Sequence, residues 1–247
     1  MKTVIYTIVA GNAQEYAQYC IPSIEAYAKK IGSDFVILTE EDKDPAYPTN
    51  HFIIYEAFKQ FENSDYSQMA FMDADIIINP CTPNIFEEFK EGFWVRQGWE
   101  WAKVAGYIDQ YFGFPKRIFL RYFSSGVVVS TKKEIKEINQ HLHAPWYIGP
   151  WGGDQGQLNY ALTECSFDVN ILPYRWHFTR GWARVSDAWK FGGDLMGAVR
   201  EAGCTRLEEI YCMHYAGGDK VQQILNDKEF LHNIGIEYGK VQVKDGN

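Results

Sequence analysis

Several features are missing from this 247-residue chain. No apolar run approaches the roughly 20 residues of a membrane-spanning helix. Basic residues are outnumbered, 24 Lys and Arg against 32 Asp and Glu, and no Lys/Arg block offsets the net charge of −8, so no nucleic-acid partner is expected. The five cysteines, Cys20, Cys81, Cys165, Cys204 and Cys212, are odd in number and show no CxxC spacing. They read as free, mostly buried thiols in a reducing, cytoplasmic compartment. The apolar N-terminus superficially resembles a signal peptide, but its apolar part is short, Thr7 interrupts it and no export context follows, so it reads as a first core strand. That strand is not followed by GxGxxG, which excludes the dinucleotide fingerprint. Repeats, low-complexity segments and linkers are absent too, so residues 1–247 read as a single domain.

What is present centres on Gln68 to Pro80. Met69 to Met72 and Ile76 to Ile78 read as two short strands, with Asp73, Ala74 and Asp75 between them. Ionised carboxylates at the end of a buried strand need a cation or several donors. Hard divalent ions, Mg²⁺ or Mn²⁺, are held by carboxylate oxygens together with a ligand's phosphates. One reading is therefore a metal–diphosphate site, and the other a solvated turn. Asp-x-Asp alone does not separate them.

The rest of the chain reads as α/β. Thr3 to Val9 forms a strand, Gly11-Asn12 a turn, then a helix places Ile21, Ile24, Ala28 and Ile31 on one face, with Pro22 as a bend or a start. Gly32 stops it and Asp34 to Thr39 is a second strand, completing a βαβ unit whose crevice lies at the carboxyl ends of the strands. Glu40 to Asn50 is a loop, and Phe52 to Phe61 and Asn84 to Lys90 are helices. Phe93 to Tyr122 reads as irregular and aromatic. Phe123 to Ser130 is a buried strand, and Thr131 with Glu134 fits a capping box. A helix opens at Asp154, whose commonest role there is an N-cap. Val169 to Leu172 and Tyr211 to Tyr215 are strands, the stretch around Trp176, His177, Trp182 and Trp189 is irregular, and Asp219 to Leu231 is a final helix.

Four pieces in order carry more than any one alone: Phe71-Met-Asp-Ala-Asp-Ile76, Phe123-Ser-Ser-Gly-Val-Val-Val129, Gly152-Gly-Asp-Gln-Gly-Gln-Leu-Asn159 and His214-Tyr-Ala-Gly-Gly-Asp-Lys220. Together they resemble the nucleotide-sugar glycosyltransferases of the GT-A fold, and within them family 8, the retaining group that includes glycogenin and lipooligosaccharide galactosyltransferases. The resemblance implies the nucleotide-diphospho-sugar transferase fold, a Rossmann-like mixed central sheet flanked by helices. It implies transfer of a hexose from a UDP-sugar to a hydroxyl acceptor on a glycan, a lipid-linked sugar or a protein. By the same resemblance Asp73, Asp75 and His214 hold Mn²⁺, with Mg²⁺ the other candidate. Thr7, Asn12, Tyr16, Ala74, Ser124, Ser125, Gly126, Gly217 and Lys220 contact the nucleotide sugar. Asp154 orients the donor hydroxyls and Gln155 faces the anomeric carbon. The family's Asn before Ser-Gly-Val is Ser124 here, its Pro-Trp after the late Lys is Val221-Gln222, and its basic residue before Asp-x-Asp has His51 and Lys59 as candidates.

Some of Trp99, Trp101, Trp151, Trp176 and Trp182 are expected to offer exposed rings for sugar stacking. Two other functions compete. A haloacid-dehalogenase-type phosphatase also carries Asp-x-Asp after an apolar strand, but near the N-terminus and followed by Thr or Val. A non-catalytic carbohydrate-binding domain would use the aromatics without needing Asp73, Asp75 and His214 together.

Overall fold

Apolar runs become strands here, and the strands sort into two sheets. The computed structural model describes residues 1–98, 122–144, 146, 153–180, 199–200 and 203–236. They divide into two units, each built from separate stretches of chain: 1–11, 32–73 and 84–173 in the first, 12–31, 74–83 and 174–247 in the second.

The first unit holds a six-stranded sheet in the order β2-β1-β3-β6-β5-β7. Its strands are β1 (Thr3–Ile8), β2 (Asp34–Leu38), β3 (Gln68–Met72), β5 (Phe93–Gln97), β6 (Phe123–Thr131) and β7 (Val169–Ile171). β1 runs parallel to β2 and β3, whereas β6 runs antiparallel to β3 and β5, so the sheet is mixed as expected. All five residues of β3 are buried, which explains why its sequence is a continuous apolar run rather than an alternation. Met72 pairs with Val127, and the next amide, Asp73 N–H, donates to the Gly126 carbonyl at 2.9 Å. The carboxyl end of β3 and the opening Ser124-Ser125-Gly126 of β6 therefore share one edge of the sheet. Helices α2 (Ile54–Asn63), α4 (Lys132–His141) and α5 (Asp154–Glu164) supply Phe58, Phe61, Ile135, Ile138, Leu158 and Ala161 to the core with Val4, Tyr6, Phe71 and Val128. The short α3 (Ile85–Glu88) is capped by Asn84, whose side chain accepts from Phe86 N–H.

The second unit contains a small sheet of β4 (Ile76–Ile78), β9 (Cys212–His214) and β8 (Phe178–Thr179), in that order. β9 pairs antiparallel with β4 and parallel with β8. Helix α1 (Ala13–Ile31) lays Cys20, Ile24, Tyr27 and Ala28 inward. Pro22 neither starts nor ends α1. It lies on the exposed face, where the carbonyl it deprives of a donor can face water. Arg180 donates two hydrogen bonds to Asp227, at 2.6 and 2.7 Å, and Tyr215 Oη adds a third at 3.2 Å, all buried.

Five local expectations are corrected. Phe93–Gln97, expected to be irregular, is the strand β5, and Phe178–Thr179 forms β8 beside His177. Thr131 is the N-cap of α4 but makes no side-chain cap; its hydroxyl bonds the Glu134 carboxylate instead, so no capping box forms. The N-cap of α5 is Gly153, at φ 95°, which moves Asp154 into the first helical position. The final helix is two, α6 (Lys220–Asn226) and α7 (Lys228–Asn233), broken at Asp227, the carboxylate committed to Arg180. Trp99, Trp101, Trp151, Trp182 and Trp189 lie outside the described residues. Trp176 is 2% exposed and packs edge-on against Tyr211, so it offers no ring to a sugar. Of the cysteines, Cys20, Cys204 and Cys212 are buried, Cys165 is half-buried and Cys81 is exposed, all free.

Candidate active site

In the second unit the small sheet brings a carboxylate and an imidazole together. Ile76 pairs with His214, and Tyr215 N–H donates to the Asp75 carbonyl at 3.0 Å, which sets Asp75 beside His214 by backbone register. Asp75 is 2% exposed. Its Oδ2 accepts from Lys220 Nζ at 2.5 Å. Its Oδ1 lies 3.1 Å from His214 Nε2, yet among the described residues it accepts no hydrogen bond of good geometry. Burial would raise the Asp75 carboxyl, but the electrostatic pull of neighbouring His214 and the charge and hydrogen bond of Lys220 outweigh it and hold the group far below the usual carboxylate range. Asp75 is thus ionised at neutral pH.

Asp73 is joined to this cluster through Ala74, which is itself buried. One oxygen each from Asp73 and Asp75 and one nitrogen of His214 lie within 4.8 Å of one another. A buried carboxylate oxygen with no donor, beside a second carboxylate and an imidazole, fits a divalent cation. Two carboxylate oxygens and an imidazole nitrogen are donors such a cation accepts. All three expected ligands are therefore brought together.

Lys220 stands with Tyr16: its Nζ is 3.5 Å from the Tyr16 hydroxyl and 4.5 Å from the ring centroid. Asn12 is exposed at the start of α1, its carbonyl accepting from Glu15 N–H. Gly217 and Gly218 are exposed at φ 72° and 58°. Among the described residues no atom lies within 4 Å of where a Gly217 Cβ would stand, so its positive φ, not crowding, calls for glycine there. Replacing Lys220 by Ala is expected to lower the melting temperature of the ligand-free protein, by about 1.5–3 kcal/mol of stability, because it strips buried Asp75 of a charged donor. Calorimetry checks this, and an unchanged melting temperature would contradict the ion pair.

In the first unit Thr7 is fully buried near the end of β1, and its Oγ1 has no hydrogen-bond partner among the described residues. Ser124 is half-buried, while Ser125 and Gly126 are buried in β6. Asp154 is 8% exposed and accepts from Ser125 Oγ at 2.9 Å, and its carbonyl accepts from the buried Tyr55 hydroxyl. Burial pushes its carboxyl up, against the opposing charge of His51 and the hydrogen bonds of Ser125 and the Gln155 amide. Gln155 Oε1 accepts from Ser125 N–H at 3.3 Å, and Asn159 grips both Phe123 N–H and Phe123 C=O at 2.7 Å, which ties the start of α5 to the start of β6.

The sequence reasoning missed His177. It is fully buried, and its Nε2 lies 2.7 Å from His214 Nδ1. It lies in a stretch read as irregular, and no spacing rule links it to His214.

The solved structures this chain resembles are GT-A glycosyltransferases, and the chain has that fold, with a central mixed sheet flanked by helices. No family model matches the chain, and no curated protein does. Among solved structures it is similar to the bifunctional glycosyltransferase WbbM, at 15% identity and TM-score 0.66, over 95% of this chain and 50% of WbbM. It spans half of that protein's length. It is also similar to the galactosyltransferase LgtC, solved with donor and acceptor sugar analogues, at 14% identity and TM-score 0.54 over 97% of this chain and 98% of LgtC. A glycosyltransferase involved in the glycosylation of the major capsid of PBCV-1 matches at 11% identity and TM-score 0.56, over 93% of this chain and all of its own. Among the described residues, no helix is long and apolar enough to cross a membrane.

Proposed function

We propose that the protein is a metal-dependent, retaining glycosyltransferase that moves a hexose from a UDP-sugar to a hydroxyl of a carbohydrate or other acceptor. The observation that carries this is buried Asp75, with one oxygen lacking a donor among the described residues, set by strand register beside His214 in a GT-A fold. Asp73, Asp75 and His214 would hold Mn²⁺, which when bound supplies positive charge to the leaving nucleoside diphosphate. Lys220 carries a mobile point charge that can turn from Asp75 to a phosphate, and Tyr16 beside it stacks or bonds the nucleotide. Thr7, in β1, and Asn12, in the turn that follows it, take part in nucleotide recognition.

Asp154, fixed by Ser125, orients the donor hydroxyls. Gln155 is a poor nucleophile, so its amide stabilises positive charge near the anomeric carbon while the acceptor hydroxyl attacks from the leaving-group face. An inverting enzyme would instead need a carboxylate general base on the opposite face.

The test has two parts. Across nucleotides and nucleotide sugars, UDP-sugars with Mn²⁺ should give the largest rise in melting temperature. NMR of the product's anomeric proton, recorded before mutarotation, should show an α-linked product from an α-linked donor. A β-linked product would overturn retention and redirect the search to another carboxylate as base.

A further inference from the structure

We propose that His177 is a positioning residue of the metal centre: it fixes His214 in the tautomer that presents the Nε2 lone pair to the cation. This rests on the metal site of the preceding subsection and adds to it a partner outside the expected ligand set.

The two imidazoles meet nitrogen to nitrogen, His177 Nε2 to His214 Nδ1 at 2.7 Å, with ring planes inclined at 32°. Two nitrogens at that distance share one proton, since two protons would clash and none would leave lone pairs opposed. The other nitrogen of His214, Nε2, faces Asp75 Oδ1 at 3.1 Å, on the side of the proposed cation. For Nε2 to bind a cation its proton must be elsewhere. The only other place on the ring is Nδ1, so His214 Nδ1–H donates and His177 Nε2 accepts. His177 is then neutral, with its own proton on Nδ1. The reverse arrangement would place an N–H of His214 where the cation belongs.

The backbone holds this contact in place. β8 pairs with β9 so that Thr179 lies opposite His214, and His177 N–H donates to the Tyr174 carbonyl at 3.0 Å. Both rings are buried, His177 fully, so water is poorly placed to replace the acceptor. Metal-bound histidines usually give their second N–H to a carboxylate or carbonyl, and loss of such a partner lowers metal affinity about 10–100-fold. A neutral imidazole is a weaker acceptor than a carboxylate, so the centre described here suits a metal that exchanges with the medium.

The experiment measures Mn²⁺ binding to the whole protein by EPR of the free aqueous ion, without nucleotide. His177→Phe keeps a ring and removes the acceptor; His177→Gln supplies an amide oxygen. We expect Mn²⁺ affinity about 10–100-fold weaker in His177→Phe and restored to within a few-fold of wild type in His177→Gln. Wild-type affinity in His177→Phe overturns the proposal and leaves the metal site standing. Absence of Mn²⁺ binding in the wild type overturns the metal site and the proposal with it. Should His177→Phe fail to fold, long-range ¹H–¹⁵N spectra of the wild type loaded with diamagnetic Zn²⁺ decide: protons on Nδ1 of both histidines are expected, and a proton on His177 Nε2 refutes the proposal.

Discussion

EDTA, or replacement of Asp75 by Asn, is expected to abolish most of the thermal stabilisation that UDP gives this protein. A ligand at a hundredfold excess over its Kd stabilises the folded state by about 2.7 kcal/mol. For a chain of this length that corresponds to a rise of roughly 5–10 °C. Most of it should depend on the cation, because a diphosphate beside Asp73 and Asp75 is repelled until their charge is offset. Asp75→Asn removes the donor-less oxygen's charge and leaves the backbone pairing of Ile76 with His214 intact, so the variant should fold. Calorimetry of both proteins with UDP, with and without Mn²⁺, checks this. An equal response to UDP in all four conditions would refute the metal–diphosphate site.

Asp154→Asn is expected to change stability and turnover in opposite directions. Burial raises the Asp154 carboxyl, so between the ordinary carboxylate value and the raised one the folded state binds more protons than the unfolded state. Stability conferred by this position therefore falls as pH rises through that window, and the full cost of the buried charge is present once pH lies above it. Asparagine keeps an oxygen for Ser125 Oγ and carries no charge, so its melting temperature should exceed the wild type's above that window. The gain should vanish below the ordinary carboxylate value, where both side chains are neutral. Turnover should drop at least about tenfold, 1.4 kcal/mol of barrier, while donor affinity changes less, because the carboxylate's geometry acts mainly in the transition state. Melting curves across pH and steady-state kinetics measure both. A lower melting temperature above that window with unchanged kcat would make Asp154 a structural acid.

The strand ends carrying Asp73, Asp75 and Ser125 were legible because a run buried on both faces is apolar throughout, and polar residues at its end stand out. β5 was not. Its Trp94 and Arg96 break both the alternating and the continuous pattern, and it is a strand because β6 and β7 flank it. Asp154 at a helix start was legible, but its burial against Ser125 depends on α5 being tied to β6 through Asn159, a contact across 36 positions. Trp176 shows the limit of reading aromatics: the same residue type serves a cleft or a core, and only the Tyr211 ring packed against it decides. His177 was invisible because its place beside His214 depends on two strands whose contacting residues lie 37 positions apart.

The pairing of β4 with β9 also bears on how the chain folds. Asp75 and Lys220 stand 145 positions apart, and His214 reaches Asp75 through the same strand pair. Closing so long a stretch of chain costs entropy before any of these contacts can form. A cation needing both Asp75 and His214 therefore finds no partner in an early folding intermediate and cannot serve as its template. Its stabilisation falls on the completed molecule, so a bound cation would lengthen the lifetime of the native state and leave the rate of refolding almost unaltered.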